Sequence, residues 1–182
     1  MTLHTVGHGT LTADGFAQFL REAEIQLVVD IRSHPGSRRH PQFGRPEMER
    51  WLPEHGLRYR WEPGLGGRRS PRPDSPHTAL TEPAFRGYAD HMETPAFGVA
   101  LDGILVDASK QPTAVMCAES VWWRCHRRLV ADATVLLRAR AVVHLFHDGR
   151  QSEHPPMEEA RVEGARLVYD AGRTRLPGTA PA

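Results

Sequence analysis

The sequence predicts an α/β fold: a single compact domain over residues 1–170, with a mostly parallel sheet flanked by helices, and a flexible C-terminal tail over 171–182. Three observations predict it. Short apolar runs of strand character recur at Leu3–Val6, Leu27–Ile31, Thr113–Cys117 and Ala141–Phe146. Stretches with apolar residues at helical spacing separate most of them, the pattern of parallel strands joined by crossover helices. Residues able to do chemistry stand where those runs stop, and parallel sheets gather ligands at that edge.

The elements follow in order. LHTV (3–6) closes on Gly7-His8-Gly9. Thr12 can cap a helix through its hydroxyl, and Phe16, Phe19, Leu20 and Ala23 then share one face. Leu27 to Ile31 is apolar on both sides of the pleat, so it reads as a buried strand that meets charge at Asp30 and Arg32. Residues 33–45 form a loop rich in Arg, His, Pro and Gly. Pro46 suits the start of a second helix and Gly56 its end, with a short strand at Leu57–Arg60. Periodicity vanishes over 62–83, which marks a functional loop, a lid or a disordered stretch. Phe85–Met92 reads as one or two helical turns. Thr94-Pro95 supplies the cap and first position of a helix whose face is Phe97, Leu101, Ile104, Leu105 and Ala108. After the strand at 113–117, helix is expected to resume near Trp122 and run to about Arg138.

Composition narrows the class. At 182 residues, 40% hydrophobic and 25% charged, the chain can bury a full core. A formal net charge of +1 weighs against a general polycation. Lys110 is the only lysine, so the other basic side chains are arginines, whose planar fork suits carboxylate and phosphate. Two cysteines are too few for a disulfide framework. No apolar run approaches the roughly 18 residues of a membrane span, and no secretory core follows Met1. The expectation is a cytoplasmic protein with reduced thiols and no membrane partner.

The densest chemistry lies in MCAESVWWRCHR (116–127). On a helical wheel of 125–137, Leu129, Val130, Ala133, Leu136 and Leu137 form an apolar stripe. His126 falls near its middle, Cys125 at its edge, and Arg124, Arg127 and Arg128 elsewhere. The wheel aims His126 at the sheet, beside the strand end at Cys117. An inward histidine is often only a core residue. A cysteine between a strand end and a helix N-terminus adds to it, because backbone N–H groups and nearby arginines acidify a thiol there. The Cys-to-Arg loop is similar to the phosphate loop of cysteine phosphatases and rhodaneses, which place five residues between the two. Six separate Cys117 from Arg124. Two further basic loops carry glycine: Gly36 before Ser37, Arg38 and Arg39, and Gly66-Gly67 before Arg68-Arg69. Glycine lets backbone approach a ligand closely. Phe85-Arg86-Gly87-Tyr88 sets an aromatic ring beside another arginine.

The stretches TVGHGT (5–10), VVDIRSHPGSRRHPQF (28–43), LGGRR (65–69), FRGYADHM (85–92), MCAESVWWRCHRRLVAD (116–132) and ARVEGARLVY (160–169) occur in this order over about residues 1–170. Through them the chain resembles the domain of unknown function 488 family. The resemblance implies a compact α/β domain, no assigned reaction, and a final strand or hairpin at 160–169. Two positions depart from the family pattern. Gly9 stands where serine commonly follows Gly-His, and Pro156-Met157 stands where Leu-Thr commonly follows the histidine at 154.

Three functions compete. The first is an enzyme acting on an anionic, phosphate- or nucleotide-like molecule, as a cysteine-dependent hydrolase or transferase or a thiol redox enzyme. Cys117 is its nucleophile or redox thiol, and His126 or His8 moves protons. Asp30 and Glu119 orient those groups. Arg32, Arg38, Arg39, Arg86, Arg124 and Arg127, with Gly66, Gly67 and Tyr88, hold the anion. The second is a zinc or iron site on Cys117, Cys125 and His126, with His8 or Glu119. Against it, no CxxC pair is present, and neighbours on a helix point about 100° apart. The third is a nucleic-acid module using Trp122, Trp123, Tyr59, Trp61 and Tyr88 as stacking surfaces, against which stands the near-zero net charge. The sequence specifies neither a cofactor nor an oligomeric state.

Overall fold

The computed structural model describes residues 1–36 and 38–170; Ser37 and the expected tail at 171–182 lie outside them. Eight strands and five α-helices follow in the order β1 (Thr2–Gly7), α1 (Ala13–Glu22), β2 (Leu27–Asp30), α2 (Arg45–Glu54), β3 (Arg58–Trp61), α3 (Pro83–Met92), α4 (Pro95–Lys110), β4 (Thr113–Cys117), α5 (Arg127–Arg138), β5 (Ala141–Leu145), β6 (Gln151–Glu153), β7 (Ala160–Glu163) and β8 (Arg166–Tyr169). The main sheet has the order β3-β2-β4-β1-β5-β6, parallel except for β6. Strands β7 and β8 form a separate antiparallel hairpin, turned at Gly164 with φ +61°.

Alternation along the strands builds a core on each face. Val6, Val28, Ala114 and Met116 face Phe16, Phe19 and Leu20 of α1 and Met48, Trp51 and Leu52 of α2. Leu3, Val29, Ile31 and Val115 face Tyr88, Phe97, Leu101, Ile104 and Leu129 of α3, α4 and α5. Each large side chain removed from water contributes roughly 1.5–3 kcal/mol, which outweighs the weak propensities of these short strands. Caps fix two helix starts. Thr12 accepts from Gly15 N–H and Thr94 from Phe97 N–H. The expected turn or two at Phe85–Met92 is a full helix, begun by Pro83.

The topology sets the site. From β1 the chain crosses β4 to reach β2; from β4 it crosses β1 to reach β5. The helices making these crossings, α1 and α5, pack on opposite faces of the sheet. The loops after the adjacent strands β1 and β4 therefore diverge, and a crevice opens between them at the carboxyl edge. No helix of the described residues is long and apolar enough to cross a membrane.

Candidate functional site

The crevice becomes a site through the path of residues 117–127. Cys117 ends β4 and is 8% exposed. The chain makes a 3-10 turn over Trp122–Arg124, returns through Cys125 in extended conformation (φ −130°, ψ 150°) and enters α5 at Arg127. Helix therefore does not resume at Trp122. Two tertiary contacts hold this path. The Trp122 ring stacks on His144 at 4.1 Å, and the Arg127 guanidinium donates to the Glu119 carbonyl. Because Cys125 is extended, the 100° divergence expected between it and His126 does not arise. His126 Nδ1 lies 3.6 Å from Cys125 Sγ and 3.9 Å from Cys117 Sγ. His126 Nε2 lies 3.2 Å from the Ile31 carbonyl oxygen. A carbonyl only accepts, so Nε2 carries the hydrogen and the Nδ1 lone pair faces the sulfurs.

The surroundings lock the imidazole. Tyr88 lies 5.0 Å from it, ring centre to ring centre, and donates its own hydroxyl to the Leu65 carbonyl. Gly67 lies against the ring: a Cβ there would stand 2.9 Å from Nδ1. Ser33 Oγ donates to the Gly67 carbonyl at 2.5 Å and ties this loop to the one after β2.

The two thiols differ. The hydrogen bond to Cys125, with burial, pushes the Cys117 thiol up. Burial also opposes charge on Cys125, but the hydrogen bond from Cys117, with the Arg127 guanidinium nearby, holds that thiol well below the usual range. The acidic thiol is thus Cys125, the reverse of the sequence expectation. The cause is placement. Helix α5 starts beside Cys125 rather than beside Cys117, and Arg127 Nε donates to Cys125 Sγ at 3.5 Å. Arg127 is 1% exposed and has no carboxylate partner among the described residues.

The strand ends β1 and β2 complete the rim. Asp30, fully buried, takes Arg32 Nε at 2.8 Å, Arg32 NH2 at 2.5 Å and the Tyr59 hydroxyl at 2.8 Å. Arg32 is thereby fixed with NH1 3.3 Å from His8 Nε2. His8 Nδ1 donates to the Gly9 carbonyl at 2.9 Å, so Nε2 is the acceptor for Arg32. Burial, reinforced by Arg32, pushes the His8 pKa down to about 4. The glycine that departs from the family pattern has a structural role: Gly9 has φ +54°, and a Cβ there would lie 2.3 Å from Ser120 Oγ.

These elements enclose a cavity of about 750 Å³. Cys117, His126, His8 and Arg32 line it. Arg39, His34 and His40 reach it from the loop after β2, and Arg68 from the glycine loop. Glu119 is the only carboxylate among the described lining residues. Arg68 holds φ +60° and has no hydrogen bond or ion pair among the described residues.

Several sequence candidates stand elsewhere. Arg38 and Arg124 are exposed and outside the cavity, so the Cys117–Arg124 loop is no phosphate cradle. Arg86 donates twice to the Leu80 carbonyl and ties down the 62–83 loop. Tyr88, Asp30 and Arg127 are buried behind the wall and act on it through His126, Arg32 and Cys125. Gly66 packs its backbone against Ser33. Of the five aromatic stacking candidates only Trp123 is exposed. Trp122 is stacked on His144, and Trp61 Nε1 donates to the Arg32 carbonyl beneath Arg45. Sequence reasoning passed over His34 and His40, and noted Arg68 in its glycine loop without placing it among the anion-holding residues. Their signal was position in a loop that follows a strand or a glycine pair.

A family model described as "Domain of unknown function DUF488" matches residues 12–134, a span that leaves out TVGHGT and the 160–169 hairpin. No curated protein and no solved structure matches the chain. The match takes in the loop after β2, the glycine loop and the whole Cys117–His126 cluster, and the chain belongs to the domain of unknown function DUF488 family.

Proposed function

We propose that the protein is an enzyme that binds a phosphate-bearing, nucleotide-like anion in the strand-end cavity and reacts with it at the Cys117–Cys125–His126 cluster. One observation carries this reading: a single cavity is lined by Arg32, Arg39 and Arg68 together with Cys117 and His126, whose imidazole is oriented by the Ile31 carbonyl. The Arg32 charge is offset by Asp30, so the attraction for an anion is assigned mainly to Arg68, which has no hydrogen bond or ion pair among the described residues. An arginine fork recognises phosphate through paired N–H donors, and the roughly 300–1,000 Å³ typical of small-molecule sites includes this cavity.

Titration calorimetry with inorganic phosphate and with adenosine monophosphate tests the reading. Binding is expected, and Arg68→Ala weakens it about tenfold, one charge-assisted contact, without changing the unfolding midpoint. Absence of binding for both probes, or equal affinity in the variant, removes the proposal. Once a turnover assay is found, Cys117→Ser abolishes product formation in a folded protein.

A further inference from the structure

We infer that Cys117, Cys125 and His126 form a three-ligand zinc site whose fourth position opens into the anion cavity. The inference deepens the enzyme reading by naming its reactive group, and it rests on that reading only for the identity of the fourth ligand.

Geometry is the first support. Zinc bonds of about 2.3 Å to sulfur and 2.0–2.1 Å to nitrogen, arranged tetrahedrally, require S···N separations of about 3.6 Å and an S···S separation of about 3.8 Å. The two S···N distances are 3.6 and 3.9 Å, and all three ligand atoms lie within 4.8 Å of one another. The set closes on a metal by shifts of a few tenths of an ångström to about one.

Orientation is the second. The Nδ1 lone pair faces the sulfurs because Nε2–H is held by the Ile31 carbonyl, the outer hydrogen bond that metal-bound histidines use to fix their tautomer.

Charge is the third. Arg127 is buried beside Cys125 without a carboxylate. Zinc with two thiolates and a neutral imidazole carries no net charge. A hydroxide as fourth ligand brings the centre to −1, which matches Arg127. Three protein ligands with an open position is the arrangement of reactive rather than structural zinc. Cys117 and His126 line the cavity whereas Cys125 lies behind them, so the open position faces the anion space.

The test uses the full chain, purified without chelator. Inductively coupled plasma mass spectrometry is expected to find about one zinc per chain, lost in Cys117→Ser and in Cys125→Ser. Zinc retained in both variants places it elsewhere and overturns the site. A second measurement needs no variant. Thiol modification by a chromogenic disulfide reagent is followed in chelator-treated wild type, with and without one equivalent of zinc. A slowing of about tenfold or more is expected. Protein purified without zinc, whose thiols react equally fast after zinc is added, overturns the inference. Both readouts omit the anion, so their failure is distinct from failure of phosphate binding.

Discussion

Asp132→Ala tests how the cysteine loop is held in place. Asp132 on α5 is fully buried and accepts three hydrogen bonds: His154 Nε2 at 2.8 Å, Met157 N at 3.0 Å and the Tyr169 hydroxyl at 3.0 Å. The carboxylate end gives the chain its direction. His154 Nε2 donates to Asp132, so His154 Nδ1 accepts from His144 Nε2 at 2.9 Å, and His144 Nδ1 accepts from the Thr5 hydroxyl at 2.7 Å. Trp122, where helix was expected to resume, lies flat on His144. Alanine leaves three donors without a partner in a dry region, each worth about 1–3 kcal/mol, while relieving the cost of burying one carboxylate. The net loss of stability is about 3–5 kcal/mol by urea unfolding, and Tyr169→Phe, which removes one bond of the three, costs about 1 kcal/mol. The loosened loop also exposes the sulfurs, so alkylation of Cys125 accelerates in folded Asp132→Ala. A loss below about 1 kcal/mol with unchanged alkylation would refute the idea that this network clamps the loop.

Other predictions concern the rim and its acid response. A Cβ at position 7 would stand 1.7 Å from the Glu119 carbonyl oxygen and 2.9 Å from Arg127 NH2. Gly7→Ala therefore displaces the 118–120 loop and destabilises the protein by about 1–3 kcal/mol in denaturant melts; a neutral effect contradicts the packing. Gly67→Ala pushes on the His126 ring and is expected to weaken phosphate binding with a smaller change in stability, read by calorimetry and thermal unfolding. Burial, with help from Arg32, lowers His8 to about 4, and burial, with help from His154, lowers His144 to about 3. Both rings titrate near 6.5 when unfolded, so below that pH the unfolded chain binds more protons than the folded one. Their contribution is complete above pH 6.5 and is lost as pH falls toward 4, up to roughly 3 kcal/mol for His8. The urea midpoint at pH 5 should lie well below that at pH 7.5, and equal midpoints contradict it.

The strands β1, β2, β4 and β5 were legible because both faces of the sheet are covered, which demands continuous apolar runs. Strand β6 was not, since Gln151–Glu153 is a polar edge held only by pairing with β5. The kink at 122–126 was invisible for a similar reason. Local spacing there fits a helix, and the winning contacts, Trp122 on His144 and Arg127 on the Glu119 carbonyl, join residues that only the fold brings together. The same limit applies to the arginines. Arg38 and Arg39 are neighbours of one type, yet only Arg39 lines the cavity. Asp30, Arg32, His8 and Cys117 were legible as a group because each stands near a strand end in the sequence, whereas His126 was read from the apolar stripe of the helix that follows.

The central claim is that the anion and the sulfurs share one space. It is tested most directly by the alkylation rate of Cys117, read by peptide mass spectrometry in chelator-treated protein with and without saturating phosphate. The account predicts that bound phosphate slows modification of Cys117 in wild type and that the protection is lost in Arg68→Ala. Phosphate that binds yet leaves the Cys117 rate unchanged would place the anion outside the cavity and contradict the account.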